Sequence, residues 1–366
     1  MLSLAACHRA APSPGSSEQL AHHALVGPAR TQADARVLAP LEDETRRVLF
    51  ASPADDPPAE LGGVTEDAKG RHYLTSNEHG LDAFEPWVRE RGGGYVGVGS
   101  DQAYLLVGWA RSEFAWLIDY DPQVVALHGV YRALLLEAES PEAFVALWQR
   151  EGRLDAHAAI DAHAPAAQRS ELRTLYRRQR AAIAARLAET VAHMDEAGVP
   201  CWLDDAAQYQ HVRGLVQAGR VRPMVVDLAG SRGLRGIADA AATAGIDVEV
   251  VYLSNAEEYW RLYPQSFRKQ LVRLPMPDDA VVLRTLLIWQ VNRDYRYNVQ
   301  RADNLRAWLA EPWVGNVYHL TYQRPPADPA GDNLFEVTAW PADAPGALRN
   351  AARRKIRELV ALGYGR

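Results

Sequence analysis

The stretch YVGVGSDQAYLLVGWARSEFAWLIDYDP, residues 95–122, sets Gly97 and Gly99 at the end of one β-like run and Asp119 and Asp121 at the end of the next. Bare backbone at a strand end lets a ligand approach closely. An acid about 20 residues further on is spaced to accept from a ribose diol. Asp101 opens the helical stretch between the two runs. More acids follow later β-like runs: Asp204 and Asp205 in CWLDD, and Asp227 in VVDLAG. The phrases SNE at 76–78 and SNAEEY at 254–259 each put Ser-Asn-acid after a β-like run, which makes Asn77, Glu78, Asn255 and Glu257 candidate ligand contacts. For Ser254 and Glu257 the competing reading is a capping box, in which both side chains are spent on a helix start. Glu78 precedes a loop glycine rather than a helix, so it is the better pocket candidate.

His128 sits on the helix after DYDP, one face away from Tyr131, and is a candidate base for proton abstraction or a packing histidine. Arg284 lies inside the apolar run VVLRTLL. A buried guanidinium must meet a carboxylate or reach the strand end, so it pairs with an aspartate of the fold or grips a substrate carboxylate. Residues 352–359, ARRKIREL, form a basic helix face whose ordinary role is to be solvated.

Other chemistries lack their signatures. Position 102 is Gln, so GVGSDQ is not the G-x-G-x-x-G of dinucleotide sites. GxxxxGK[ST], GxSxG and HExxH do not occur. Cys7 and Cys201 lie far apart with no zinc-ligand spacing, and no metal is expected beyond the oxygen donors that DYD and LDD offer a divalent cation. A net charge of −6 and a pI near 6.0 give no basic footprint for nucleic acid. No run approaches the ~18 apolar residues of a membrane span.

These residues need a scaffold, and the pattern supplies one. After YVGVGS come a helix-like stretch, the β-like EFAWLIDYD, and a helix opened by Pro122 in its first turn. Ser140-Pro141 starts another helix, and 166–198 reads as one or two helices closed by Gly198. VPCWLDD, RPMVVDLAG, IDVEVVYLSN and DDAVVLRTLLI read as strands separated by helices, with NVYHLTYQ and DNLFEVTAW pairing as closing strands. The expected fold is an α/β three-layer sandwich with a largely parallel Rossmann-like sheet. The expected organisation is a flexible tether over 1–40, an exposed lead-in loop over 41–72, the Rossmann-like domain over 73–345 and a C-terminal helix over 346–366.

The arrangement resembles class I S-adenosylmethionine methyltransferases, over roughly residues 73–340. The resemblance implies a glycine-rich first loop at Gly97 and Gly99, with Asp101 beside it, and a ribose acid at Asp119 or Asp121. It further implies an adenine-side acid at Asp204 or Asp205 and a fourth-strand acid at Asp227. S-adenosylmethionine is the cofactor it suggests, although the loop reads GVGSD where those enzymes more often show E/DxGxGxG. Taken together, YLTSNEHG, GGGYVGVGSDQAY, DYDP and VYLSNAEEYW resemble a family of uncharacterised bacterial proteins with a methyltransferase-like fold, several of which look like exported lipoproteins.

Leu4-Ala5-Ala6-Cys7 fits the lipoprotein box, with Cys7 as the lipidated residue, although almost nothing precedes it where an apolar leader belongs. Three readings follow. The first is an envelope lipoprotein that holds a small molecule in the cofactor cleft, touches membrane only through Cys7, and has no catalysis or a divergent one. The second is a cytoplasmic S-adenosylmethionine-dependent methyltransferase, and the third a cell-envelope interaction protein. Oligomeric state is not legible.

Overall fold

The computed structural model describes residues 39–63, 68–331 and 333–364. Seven strands form one sheet: β1 (Gly94–Val98), β2 (Phe114–Asp119), β3 (Val221–Val225), β4 (Val248–Tyr252), β5 (Val281–Leu287), β6 (Tyr295–Arg301) and β7 (Leu334–Glu336). Their order is β3-β2-β1-β4-β5-β6-β7. The first five are mutually parallel, β6 runs antiparallel to β5, and β7 runs parallel to β6. This is the α/β, largely parallel Rossmann-like sandwich that the strand–helix alternation implies.

Helices cover both faces, as a parallel sheet requires. Alternate side chains of one strand therefore enter two different cores. Tyr95, Leu117, Val250 and Leu283 pack under the helices Asp101–Ala110, Pro122–Glu137 and Arg169–Ala197. Val96, Trp116, Ile118, Val251 and Val282 pack under Gly233–Ala244, Gln265–Leu271 and Ala302–Ala310. Helix starts follow their local chemistry. Asp121 caps Pro122–Glu137 by accepting from the Gln123 amide at 2.8 Å, and Ser140 caps Pro141–Trp148 through the Ala143 amide. Arg169–Ala197 is one continuous helix, closed by Gly198 at φ 66°.

Four expectations are corrected. CWLDD is not a strand: Asp204 Oδ1 accepts from the Cys201 amide at 2.8 Å and bends the chain into a turn, and Asp205 caps the helix Ala206–Gln217. NVYHLTYQ contains a short helix, Val317–Leu320, and only Leu334–Glu336 of the last β-like run joins the sheet. The strand paired with β5 is instead YRYNVQR, whose polar Arg296, Asn298 and Gln300 disguise it as loop. The lead-in over 41–72 is not simply exposed loop. It holds the helix Asp43–Ala51, whose Leu49 is fully buried and whose carboxyl end receives the Arg222 guanidinium at Leu49 O and Ser52. Asp55 then accepts from the Gly233 amide at 3.0 Å and ties the lead-in to a helix start.

Candidate functional site

Strand order reverses between β1 and β4, and there the carboxyl ends of the strands part to leave a crevice. The crevice is a cavity of about 360 Å³, inside the roughly 300–1,000 Å³ range of small-ligand sites. Its floor is Val98–Ser100 after β1, Asp119–Asp121 after β2, Val226–Leu228 after β3 and Ser254–Ala256 after β4. Arg71, Tyr73 and Thr75–Glu78 close one side, and Tyr259, Trp260, Trp289 and Tyr295 supply aromatic walls.

At the deep end lies Glu78, 2% exposed. Its Oε1 accepts from the hydroxyls of Tyr252, Ser254 (2.9 Å) and Thr285 (2.9 Å), and its Oε2 from Ser76 (2.7 Å). Its carbonyl accepts from Arg186 Nη2 at 2.6 Å, and Arg186 Nε reaches Asp101 Oδ2 at 3.0 Å. Asp101 Oδ1 in turn accepts from the Ser76 amide at 2.7 Å. A loop with no regular structure is thereby fixed against β4, β5 and the long helix Arg169–Ala197. Ser254, at φ 49°, turns its hydroxyl into this cluster, so the expected Ser254–Glu257 capping box does not form.

At the other end two aspartates differ. Asp121 is spent: one oxygen caps the helix and the other meets His72 Nδ1 at 2.7 Å, which pins the lead-in across the cleft. Asp119 is 8% exposed and accepts from the Asp121 amide at 2.8 Å. Burial pushes its carboxyl up to about 7, against the pull of backbone amides toward the charged form. Among the described residues Asp119 meets no cationic side chain. Between the two ends, Gly99 adopts φ 103°, and a Cβ there would strike Gln102. Gln102 Oε1 accepts from the Ser100 amide at 3.0 Å, so this backbone donor at the strand end is already engaged.

Of the residues singled out by sequence, Asn77, Glu78, Gly99, Asp119, Asp121, Asp227 and Asn255 line the cavity. The others fall outside that lining. Gly97 lies under the Tyr95 ring, where a Cβ would run into the phenol. Asp101 is half of the Arg186 ion pair, and Asp204 is an exposed turn cap. Arg284 is not a pocket arginine: it is fully buried and bonds Glu257 and Gln300, and Tyr263 also donates to Glu257 at 2.6 Å. The partner is a glutamate, not the aspartate expected. Glu257 is therefore an ion-pair residue. His128 is fully buried behind the loop. Nε2 must donate to Gly99 O at 3.0 Å, because a carbonyl only accepts, which leaves Nδ1 to accept from Tyr104 O–H at 3.0 Å. Burial lowers this imidazole to about 4, so it stays neutral and braces the loop rather than serving as a base. Asp227 follows β3, because CWLDD is no strand; it is a third-strand acid and not a fourth. Cys7 lies outside the described residues, and Cys201 is a buried free thiol.

Sequence reasoning missed Arg71 and the ring wall. Trp289 and Tyr295 flank a β5–β6 connection that could be found only by recognising β6. Tyr120 and Tyr73 sit beside residues already singled out.

The cavity carries four carboxyl groups, of Glu78, Asp119, Asp121 and Asp227, against one arginine, Arg71, among the described lining residues. Several aromatic rings stand beside them. Such a lining disfavours polyphosphate and suits a cation with a planar, hydroxyl-bearing body. The residues fit S-adenosylmethionine in these respects: an acid for a ribose, rings for a base, and acidic surroundings for a sulfonium. Among the described residues no group of three or more His, Cys, Asp or Glu side chains is placed to share a metal ion, and no helix is long and apolar enough to cross a membrane.

Compared with known proteins, residues 73–337 match the model of a domain of unknown function, DUF7790. No curated protein matches the chain.

Proposed function

From this premise, that the chain belongs to the DUF7790 family of domains of unknown function, we propose that the protein binds a small cationic, hydroxyl-bearing aromatic molecule of the S-adenosylmethionine class in the cleft at the sheet's carboxyl edge. Asp119 carries this reading. It is a strand-end carboxyl lining the cavity, buried enough to be pushed up to about 7, and a cation or a diol donor would relieve its desolvation. When bound, S-adenosylmethionine supplies an electrophilic methyl group. Asp119 would hold its ribose, Asp227 would lie toward its base, and the Ser254–Asn255 end of β4 would face the reacting centre, as the methyltransferase resemblance implies. The hydroxyl-saturated Glu78 would shape the wall and exclude water.

Methyl transfer to an acceptor is the second reading, favoured by Asn77 and Asn255 lining the same cavity. Location separates the two. Lipidation at Cys7 would put the cleft in the cell envelope, away from cytoplasmic S-adenosylmethionine, and its ligand would then be another molecule of the same chemistry with catalysis lost or diverged.

The test is calorimetric binding of S-adenosylmethionine and S-adenosylhomocysteine to the full chain and to Asp119→Ala. Saturable binding that favours the sulfonium and weakens at least roughly tenfold in the variant supports the reading. No binding at millimolar ligand, or the same affinity in both proteins, rejects it.

A further inference from the structure

The opposite face of β6 borders a second cavity. Strand alternation sends Tyr295, Tyr297 and Val299 into one core and Arg296, Asn298 and Gln300 to the other side. Four arginines of the described residues are less than a tenth exposed: Arg186, Arg222, Arg284 and Arg296. The first three each have acceptors, although Nη2 of Arg284 meets none. Arg186 meets Asp101, Arg222 meets the carbonyls of Leu49 and Ser52, and Arg284 meets Glu257 and Gln300. Arg296, 3% exposed, has no ion pair, and its guanidinium donates no hydrogen bond among the described residues. Its guanidinium is accessible from a cavity, where an entering anion would supply the acceptor it lacks.

Arg296 lines a cavity of about 460 Å³ that also contains Arg324. Burial and then the like charge of Arg324 lower the Arg296 guanidinium from its ordinary value. Arg324 is held in place by its bond to Thr321 O at 2.9 Å and by lying 5.0 Å over the Tyr318 ring. No acid lines this cavity among the described residues, and Leu286, Ile288, Tyr322, Pro325 and Pro326 make its remaining wall largely apolar.

We propose that this cavity binds an organic carboxylate with an apolar body, its carboxylate held by Arg296 and Arg324. Two guanidiniums match the planar oxygen pair of a carboxylate. The apolar wall favours a hydrocarbon or aromatic remainder over a polyphosphate or a sugar. The site stands on Arg296 and does not depend on the cleft at the sheet's carboxyl edge, with which it shares only Leu287.

Calorimetry with octanoate and, separately, inorganic phosphate on the full chain tests this. Octanoate is expected to bind saturably and raise the unfolding temperature, with affinity falling at least roughly tenfold in Arg296→Met. The methionine keeps the apolar stem and strands no partner, so the variant should fold at least as stably without ligand. Arg324→Gln, at a half-buried position, should weaken octanoate by a smaller factor and carries the decision if Arg296→Met does not fold. S-adenosylmethionine binding, if present, should be unchanged in both variants. Equal octanoate affinity in wild type and variants, or no saturable binding, would overturn the proposal. Binding of phosphate in place of octanoate would overturn the carboxylate assignment.

Discussion

Glu78 and Asp119 stand at opposite ends of one cavity, both carboxyls, both nearly buried, and their surroundings differ completely. Glu78 accepts four side-chain hydroxyls from three separate parts of the chain. Asp119 accepts backbone amides only, and burial drives it toward the neutral form at ordinary pH. The difference teaches which acid builds the site and which is left for a visitor. A carboxylate with its lone pairs occupied is a structural anchor. One whose desolvation is poorly offset gains most from an incoming cation or hydroxyl.

Four substitutions would sharpen or break that contrast. The largest effect is expected for Glu78→Ala, which strands the hydroxyls of Tyr252, Ser254, Thr285 and Ser76 and frees the 76–78 loop. A loss of about 3–5 kcal/mol in urea denaturation follows from leaving these hydroxyls without their acceptor, at roughly 1–3 kcal/mol for each one that stays buried and unpaired. A loss below about 1 kcal/mol would remove its anchoring role. Asp119→Asn should act in the opposite direction. The folded carboxyl, at about 7, lies above its ordinary 3.8, so the native state holds this proton more tightly than the unfolded chain. Its contribution to stability is therefore full below about pH 4 and is lost as pH rises through 7, a few kcal/mol in all at about 1.4 kcal/mol per pH unit. Asp119→Asn, compared with wild type from pH 4 to 8, should gain relative stability toward pH 8. Parallel pH profiles would contradict it.

Next, His128→Phe removes the brace on Gly99 O and leaves the Tyr104 hydroxyl without an acceptor. About 1–3 kcal/mol should be lost, and wild type should show no titration of this ring by NMR above about pH 5, because its pKa is lowered to about 4. The smallest effect belongs to Asp204→Ala. This exposed side chain caps one turn amide, so stability should fall by no more than about 1 kcal/mol and ligand affinity should not move. A loss of affinity would restore Asp204 to the site.

The layers and the βαβ corner were legible because their signals are local. Apolar runs of strand length, Pro122 and Pro141 in first turns and Gly198 at a helix end each report on a few neighbouring residues. CWLDD misled because Cys201, Trp202 and Leu203 are buried as a turn against the helices rather than as a strand. YRYNVQR escaped notice because one of its faces is polar, with Gln300 bonded to Arg284 and Asn304. The strand-end residues Gly99, Asp119, Asp121 and Asn255 were readable from position alone. The roles of Arg284 and Asp101 were not, since their partners Glu257 and Arg186 lie 27 and 85 residues away.

The most direct test of the contrast between the two carboxyls is titration of S-adenosylmethionine at pH 7 in two buffers of different protonation enthalpy, for wild type and Asp119→Asn. The account predicts saturable binding to wild type with release of up to about half a proton, as a carboxyl near its midpoint is drawn to the charged form. It predicts affinity reduced at least roughly tenfold in Asp119→Asn, with no proton release. Equal affinity in the two proteins, or binding to wild type with no proton released, would contradict it.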